Sequence, residues 1–262
     1  MAKLNQTALV TGASSGIGAV YADRLARRGY DLILVARDEA RLAALADRLE
    51  TSYGIRADLL KADLTSRADL ARVENRLRDD ASISLLVNNA GAASKGGFLA
   101  EDLEPLYDLV DLNVGALTRL AGAAVQGFLA RGKGGSIINI GSVVGLAPEW
   151  FPGVYGATKA FVLALSQAMQ GELAAKDIYV QAVLPAATRT EIWQRSGRDV
   201  DTMTGVMPVD ELVDAALVGF DRREGVTIPP LPDEAQWQAF QAARLAMLPN
   251  FSQEHPAVRY RD

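Results

Sequence analysis

The chain has no cysteine and a single histidine, His255, close to its end. Disulfides and thiol nucleophiles are therefore excluded, and so is most metal chemistry, because zinc and iron sites draw several ligands from those two residue types. No metal site is expected. A Ser-His-Asp triad would have to recruit its histidine from the extreme tail, so that chemistry is set aside as well. Positive charge is also short: 27 Lys and Arg stand against 32 Asp and Glu, for a net charge of −5. That is the wrong sign for a nucleic-acid partner. Long apolar runs are missing too. The longest charge-free stretch, Leu4 to Ala22, is interrupted by Asn5, Gln6, Thr7, Thr11, Ser14, Ser15, Gly12, Gly16 and Gly18, and reads neither as a membrane span nor as a signal peptide. A cytoplasmic protein without a membrane partner is the expectation, and the lack of cysteine is compatible with a reducing compartment.

What is present suits one large core. The 262 residues amount to about 1.7 times the usual domain length. With 49% hydrophobic residues, that core needs no staples. Short runs rich in β-branched residues alternate with segments of helical period, the pattern of βαβ units and a parallel sheet. The expected strands are Thr7–Thr11, Asp31–Ala36, Arg56–Ala62, Leu85–Asn88, Ser136–Gly141, Tyr179–Leu184 and Val226–Pro229. Between them, Ile17, Val20, Tyr21 and Leu25, then Leu42, Leu45 and Leu49, then Leu70, Val73 and Leu77 mark helix faces that pack on a sheet. Right-handed crossovers give an α/β fold with helices on both faces of one doubly wound, mostly parallel seven-stranded sheet. A long helix is expected over Leu103–Arg131, with Leu106, Val110, Asn113, Leu117, Leu120 and Ala124 on one face. Another is expected over Tyr155–Lys176. No internal repeat or low-complexity segment occurs. Pro229, Pro230 and Pro232 break the chain, so the domain is drawn as residues 1–232, followed by an extension over 233–262 with one helix, Asp233–Met247, and an irregular tail.

In an open parallel sheet, ligands bind beyond the carboxyl ends of the strands. After the first strand comes TGASSGIG, Thr11 to Gly18. There Gly12 permits a tight turn, Gly16 lets the backbone approach a pyrophosphate, Gly18 lets helix lie close to strand, and the helix start faces an anion. A plain strand-to-helix turn is the alternative. After the second strand, Ala36 stands where an acidic residue would grip a ribose 2′-hydroxyl, and Arg37 follows, suited to a 2′-phosphate. This favours NADP(H) over NAD(H), with Ser14 and Ser15 as further hydroxyl donors. The alternative is a solvated Arg37, with Asp38 reading the ribose one residue late. Asp63 follows the third strand and Asn88–Gly91, NNAG, the fourth; either could be a turn former. Asn113 is a buried amide that needs partners, and a neighbouring backbone could supply them. Last come Ser142, after the fifth strand, and Tyr155 and Lys159 at i, i+4, which stacks phenol and ammonium on one helix face. A neighbouring cation stabilises a phenolate, so Lys159 is expected to lower the Tyr155 pKa toward useful proton transfer.

Taken in order, TGASSGIG, NNAG, Asn113, Ser142 and Tyr155-x-x-x-Lys159 resemble the short-chain dehydrogenase/reductase family over about residues 5–230, in its NADP-preferring form. The resemblance implies a single Rossmann domain and hydride exchange between nicotinamide and a carbonyl or secondary alcohol. It implies that Gly12, Gly16 and Gly18 shape the pyrophosphate loop, with Ser14, Ser15 and Ile17 beside them. It puts Asp63 and Leu64 at the adenine end and Asn89, Ala90 and Gly91 along the adenosine. Tyr155 would be the proton donor or acceptor, and Ser142 would polarise the substrate oxygen. Lys159 would hold the nicotinamide ribose, and Asn113 would anchor a water relay behind it. Pro185, Thr188 and Thr190 would sit beside the nicotinamide, although Ala186 replaces the glycine usual after that proline. The segment Thr190–Val206 reads as a lid. Val144, Leu146, Trp150, Phe151 and Trp193 point to an apolar, bulky carbonyl substrate, unless they serve core or interface. A homodimer or homotetramer follows from the resemblance. Two other readings remain: a dinucleotide-binding regulator without turnover, and an epimerase or lyase on the same scaffold.

Overall fold

The computed structural model describes residues 6–93, 103–151 and 153–261. Seven parallel strands form one sheet: β1 (Thr7–Thr11), β2 (Asp31–Ala36), β3 (Ala57–Lys61), β4 (Ile83–Asn88), β5 (Gly135–Ile140), β6 (Ile178–Val183) and β7 (Val226–Thr227). Their spatial order is β3-β2-β1-β4-β5-β6-β7, and every pairing is parallel. Strand order reverses between β1 and β4, which opens a crevice at their carboxyl ends.

Alternation along the strands feeds two cores. Ala8, Val10, Leu32, Leu34, Leu85 and Val87 pack with α1 (Gly16–Arg27), α2 (Glu39–Tyr53) and α8 (Val209–Asp221) on one face. Leu9, Ile33, Val35, Ile83, Leu86 and Ile137 pack with α3 (Arg67–Asp79), α5 (Leu117–Arg131) and α6 (Val154–Leu173) on the other. Ile83 and Leu86 share a face despite their odd spacing because the β1–β4 register shifts between them: Thr7 pairs with Ile83, but Ala8 pairs with Leu85. The extra residue, Ser84, is a bulge. It hides the start of β4 from a period-two reading, which begins the strand at Leu85.

The helix expected over Leu103–Arg131 is not continuous. It runs as α4 (Glu104–Val110), then a π-helical segment Asp111–Ala116, then α5. Leu106, Leu109 and Asn113 are buried, whereas Val110, expected on the same face, is exposed. The Val114 carbonyl accepts from the Leu117 backbone N–H and also from Thr118 Oγ1, the latter at 2.7 Å. After β6 comes the short α7 (Ile192–Arg195) within the segment expected to be a lid. The base of that segment is closed by a bridge between Thr188 and Met207.

The body extends to Pro229, and a second unit spans Pro230–Asp262. That unit holds α9 (Glu234–Ala246), N-capped by Asp233, whose carboxylate accepts from Ala235 N at 2.9 Å. None of the α9 residues is buried.

Candidate active site

The residues after β1, β2, β3, β4, β5 and β6 line one cleft of about 900 Å³. Its glycine-rich floor follows from close packing. Gly12 (φ +65°) and Gly16 (φ +54°) adopt the left-handed conformation, and a Cβ on Gly18 would overlap the Gly12 carbonyl and crowd Asn89 Nδ2 at 2.5 Å. Ser15 is the N-cap of α1 but makes no side-chain capping bond, so the positive end of the helix faces the cleft. Thr11 ties this loop to the next. Its hydroxyl donates to Val87 O and accepts from Asn89 N and Ala90 N, both at 3.0 Å, while Asn89 Nδ2 donates to Thr11 O at 2.8 Å.

At the β2 end, the two readings of Arg37 and Asp38 separate. Asp38 is committed as the N-cap of α2, accepting from Arg41 N at 3.0 Å. The Arg37 side chain is 74% exposed and stands 3.8 Å from the Asp63 carboxylate. The Asp63 carboxylate also closes a turn by accepting from the Thr65 amide and hydroxyl. Partial burial would raise its pKa, but those bonds and Arg37 outweigh it and hold the group below the ordinary carboxylate value.

At the other end stand Ser142, Tyr155 and Lys159. Gly145 packs so tightly on α6 that a Cβ there would lie 2.8 Å from the Lys159 backbone. This presses the loop carrying Ser142 against the helix carrying Tyr155. The Ser142 hydroxyl donates to Pro185 O at 3.1 Å and accepts from Val144 N at 3.4 Å, and Ser142 and Tyr155 line the same stretch of the cleft. Lys159, 7% exposed, donates to Ile140 O at 3.0 Å, and its Nζ stands 5.7 Å from the Tyr155 ring centroid. Burial pushes the Tyr155 phenol up to about 12, opposed by the Ser142 hydroxyl, and pulls the Lys159 ammonium down to about 8. The lowering expected for Tyr155 is therefore reversed in this geometry. The i, i+4 spacing brings the cation close, but loss of hydration governs both groups.

Of the residues singled out in the sequence, Gly12, Ser14, Ser15, Gly16, Ile17, Arg37, Asp63, Leu64, Asn89, Ala90, Gly91, Ser142, Tyr155, Lys159, Pro185, Thr188 and Thr190 line this cleft. Gly18 and Asn113 lie behind it. The Asn113 side chain is fully engaged: Oδ1 accepts from Ala92 N at 3.0 Å, and Nδ2 donates to Ala92 O and to Thr158 Oγ1. Its amide thus clips the β4 exit to α6, as the alternative reading allowed. Ala186 is absent from the left-handed residues, so no glycine is required there. Thr190 lies over the glycine loop, where a Cβ on Gly16 would meet its methyl at 3.1 Å. Val144, Phe151 and Trp193 line the cleft, whereas Leu146 and Trp150 do not. Leu112, Thr65, Glu191 and Ile192 also line it and were missed. Thr65 could have been found as part of ADLT. Leu112 could not, since the π segment aims it.

The layout fits a dinucleotide: a helix start facing the cleft, with the exposed Arg37 guanidinium at one end and Tyr155 and the buried Lys159 at the other. Residues 6–201 match the family model described as short chain dehydrogenase. The chain belongs to the short-chain dehydrogenase/reductase family. Among solved members of the family, a short-chain dehydrogenase from Sphingobium yanoikuyae in complex with NADPH is 60% identical, with a TM-score of 0.95, covering 98% of this chain and 100% of that one. A bulky-bulky ketone specific alcohol dehydrogenase from Comamonas testosteroni is 52% identical, with a TM-score of 0.91, covering 99% and 100%. Human 17-beta-hydroxysteroid dehydrogenase type 3 is 31% identical over 219 residues, 82% of this chain and 70% of that protein. Across its vertebrate relatives, the chain spans between 70% and 56% of their length. This short-chain dehydrogenase has no group of His, Asp or Glu side chains fit to hold a metal among the described residues, and none of its described helices is long and apolar enough to cross a membrane.

Proposed function

We propose that the protein is an NADP(H)-dependent reductase of apolar, bulky ketones or aldehydes. The observation that carries this reading is the cleft floor, where Ser142, Tyr155 and Lys159 line one pocket and the Lys159 Nζ lies 5.7 Å from the Tyr155 ring centroid. NADPH, when bound, supplies a hydride to the carbonyl carbon. Gly12, Gly16 and the start of α1 would hold its pyrophosphate, Arg37 its 2′-phosphate, and Lys159, Thr188 and Thr190 its nicotinamide end.

Tyr155 supplies the matching proton. Its pKa, pushed up to about 12 by burial, keeps the phenol protonated at neutral pH, so it serves as an acid toward a developing alkoxide. Ser142 holds the substrate oxygen beside the phenol. Lys159, with its pKa near 8, is still mostly cationic at pH 7 and stabilises the phenolate as it forms. Replacing Tyr155 with Phe should abolish NADPH oxidation against a ketone panel while NADPH binding stays nearly intact. Retained turnover would reject the assignment, and it would equally settle the choice against a non-catalytic regulator.

For the cofactor, the support is the commitment of Asp38 to capping, the exposed Arg37, and the likeness to the NADPH complex. A charge-assisted bond to a phosphate is worth about 1.5–3 kcal/mol, so Arg37→Ala should weaken NADPH binding about 10- to 100-fold and leave NADH within about twofold. Equal losses would mean that Arg37 does not read the phosphate. For the substrate, the support is the apolar wall of Val144, Phe151, Trp193, Ile192 and Leu112, together with the likeness to the bulky-bulky ketone enzyme. A homo-oligomer in the cytoplasm completes the proposal. Tyr107 on α4 and Phe161 on α6 are exposed aromatics on the helices that would meet a second copy, and sedimentation velocity tests that assembly.

A further inference from the structure

Phe151 lines the cleft and is only 5% exposed. A 3₁₀ turn, Pro148–Trp150, delivers it. Its ring centroid lies 4.9 Å from that of Tyr155, tilted by 52°, within the range of favourable aromatic pairs. The guanidinium carbon of Arg198 stands 3.9 Å from the Phe151 centroid. Arg198 belongs to the segment after β6, so this contact joins the two walls of the cleft through the ring that touches the phenol.

The segment contains three further features that bear on Arg198. Arg189 and Arg195 are neutralised by Asp201 and Glu191, but Arg198 makes no salt bridge among the described residues. Its charge is directed at the Phe151 ring instead. Its backbone is fixed, with Arg198 N donating to Trp193 O at 2.8 Å. Trp193 is fixed in turn, its indole donating to Thr188 O at 2.7 Å beneath the bridge that closes the segment. A chain of contacts thus runs from the Thr188–Met207 bridge through Trp193, Arg198 and Phe151 to Tyr155.

We propose that Arg198 is a positioning residue for Tyr155 and acts through Phe151. The inference rests on the reading of Tyr155 as the proton donor. Small errors in the placement of a reacting group are costly to rate even when binding is untouched. Holding Phe151 against the phenol therefore gives the segment after β6 control over the proton-transfer step.

The test is a double-mutant cycle on the full-length enzyme, with NADPH oxidation measured on one small and one bulky ketone. An exposed cation–π contact is worth about 0.5–1 kcal/mol, about two- to fivefold in rate. Arg198→Ala is expected to lower kcat by about that factor on both ketones and leave KM for NADPH unchanged. Arg198→Lys should recover most of the loss, since an ammonium also binds a ring face. Phe151→Leu should lower kcat at least as much, and adding Arg198→Ala to it should cost nothing further. Should Phe151→Leu fail to fold, Phe151→Met takes its place in the cycle. The proposal is overturned by unchanged kcat in Arg198→Ala, by losses that multiply in the double variant, by absence of rescue in Arg198→Lys, or by a loss confined to the bulky ketone. Tyr155→Phe, run alongside, separates the two claims. Turnover in that variant sinks the reading of Tyr155 itself, whereas a dead Tyr155→Phe beside a fully active Arg198→Ala sinks only the role of Arg198.

Discussion

Replacing Lys159 with Met should change how stability responds to pH. Lys159 is buried on α6 with one hydrogen bond, to Ile140 O, and no salt bridge among the described residues. Burial disfavours its charged form and lowers its pKa from 10.5 to about 8. The native state gives up this proton near pH 8, while the unfolded chain keeps it to about 10.5. Between those values the unfolded state binds more protons, so the contribution of Lys159 rises with pH and falls again as pH drops through 8. At about 1.4 kcal/mol per tenfold, the full span is worth about 3 kcal/mol, of which about 2–3 kcal/mol is crossed between pH 7 and pH 10. The Met variant lacks this step, and all other titrations are common to both proteins. Urea unfolding followed by tryptophan fluorescence at pH 7 and pH 10 should therefore show the stability of wild type relative to Lys159→Met increasing by that amount. A difference that stays constant within about 0.5 kcal/mol would refute the burial argument.

Thr11→Val should destabilise by about 2–4 kcal/mol in chemical denaturation, because it leaves the Asn89 and Ala90 amides without their acceptor in a part-buried loop. Thr11→Ser should recover most of this, and an unchanged midpoint for Thr11→Val would refute the knot. Gly18→Ala should cost about 1–3 kcal/mol by overpacking and weaken NADPH binding as α1 is pushed off the Gly12 turn. Gly122→Ala in α5, where nothing lies within 4 Å, is the control, and its thermal midpoint should hold or rise.

The sheet was legible because β1, β2, β4, β5 and β6 are largely buried apolar runs punctuated by turn residues. All seven expected strands exist, and the carboxyl ends of the first six carry the cleft. Failures of the reading have identifiable causes. The bulge at Ser84 breaks the alternation by one residue, so the first turn of β4's pattern cannot be told from a loop. The π segment Asp111–Ala116 leaves no mark on a 3.6-residue period beyond one apolar residue, Val110, turned outward. Nothing local encodes it. Its reason is tertiary: the wider turn carries the Asn113 amide to the Ala92 backbone and to Thr158 on α6.

The sign of the Tyr155 shift failed for a different reason. Sequence spacing fixes distance along a helix but says nothing of the medium between the groups. In water, an ammonium one turn away would dominate a phenol; inside the cleft floor, both lose hydration, and the larger effect moves each toward its neutral form. The two pKa values, about 12 and about 8, then leave Tyr155 a protonated acid and Lys159 a cation with little hold on its proton. The direction of both shifts is thus set by the burial of the pair, a property that the motif Tyr-x-x-x-Lys does not specify.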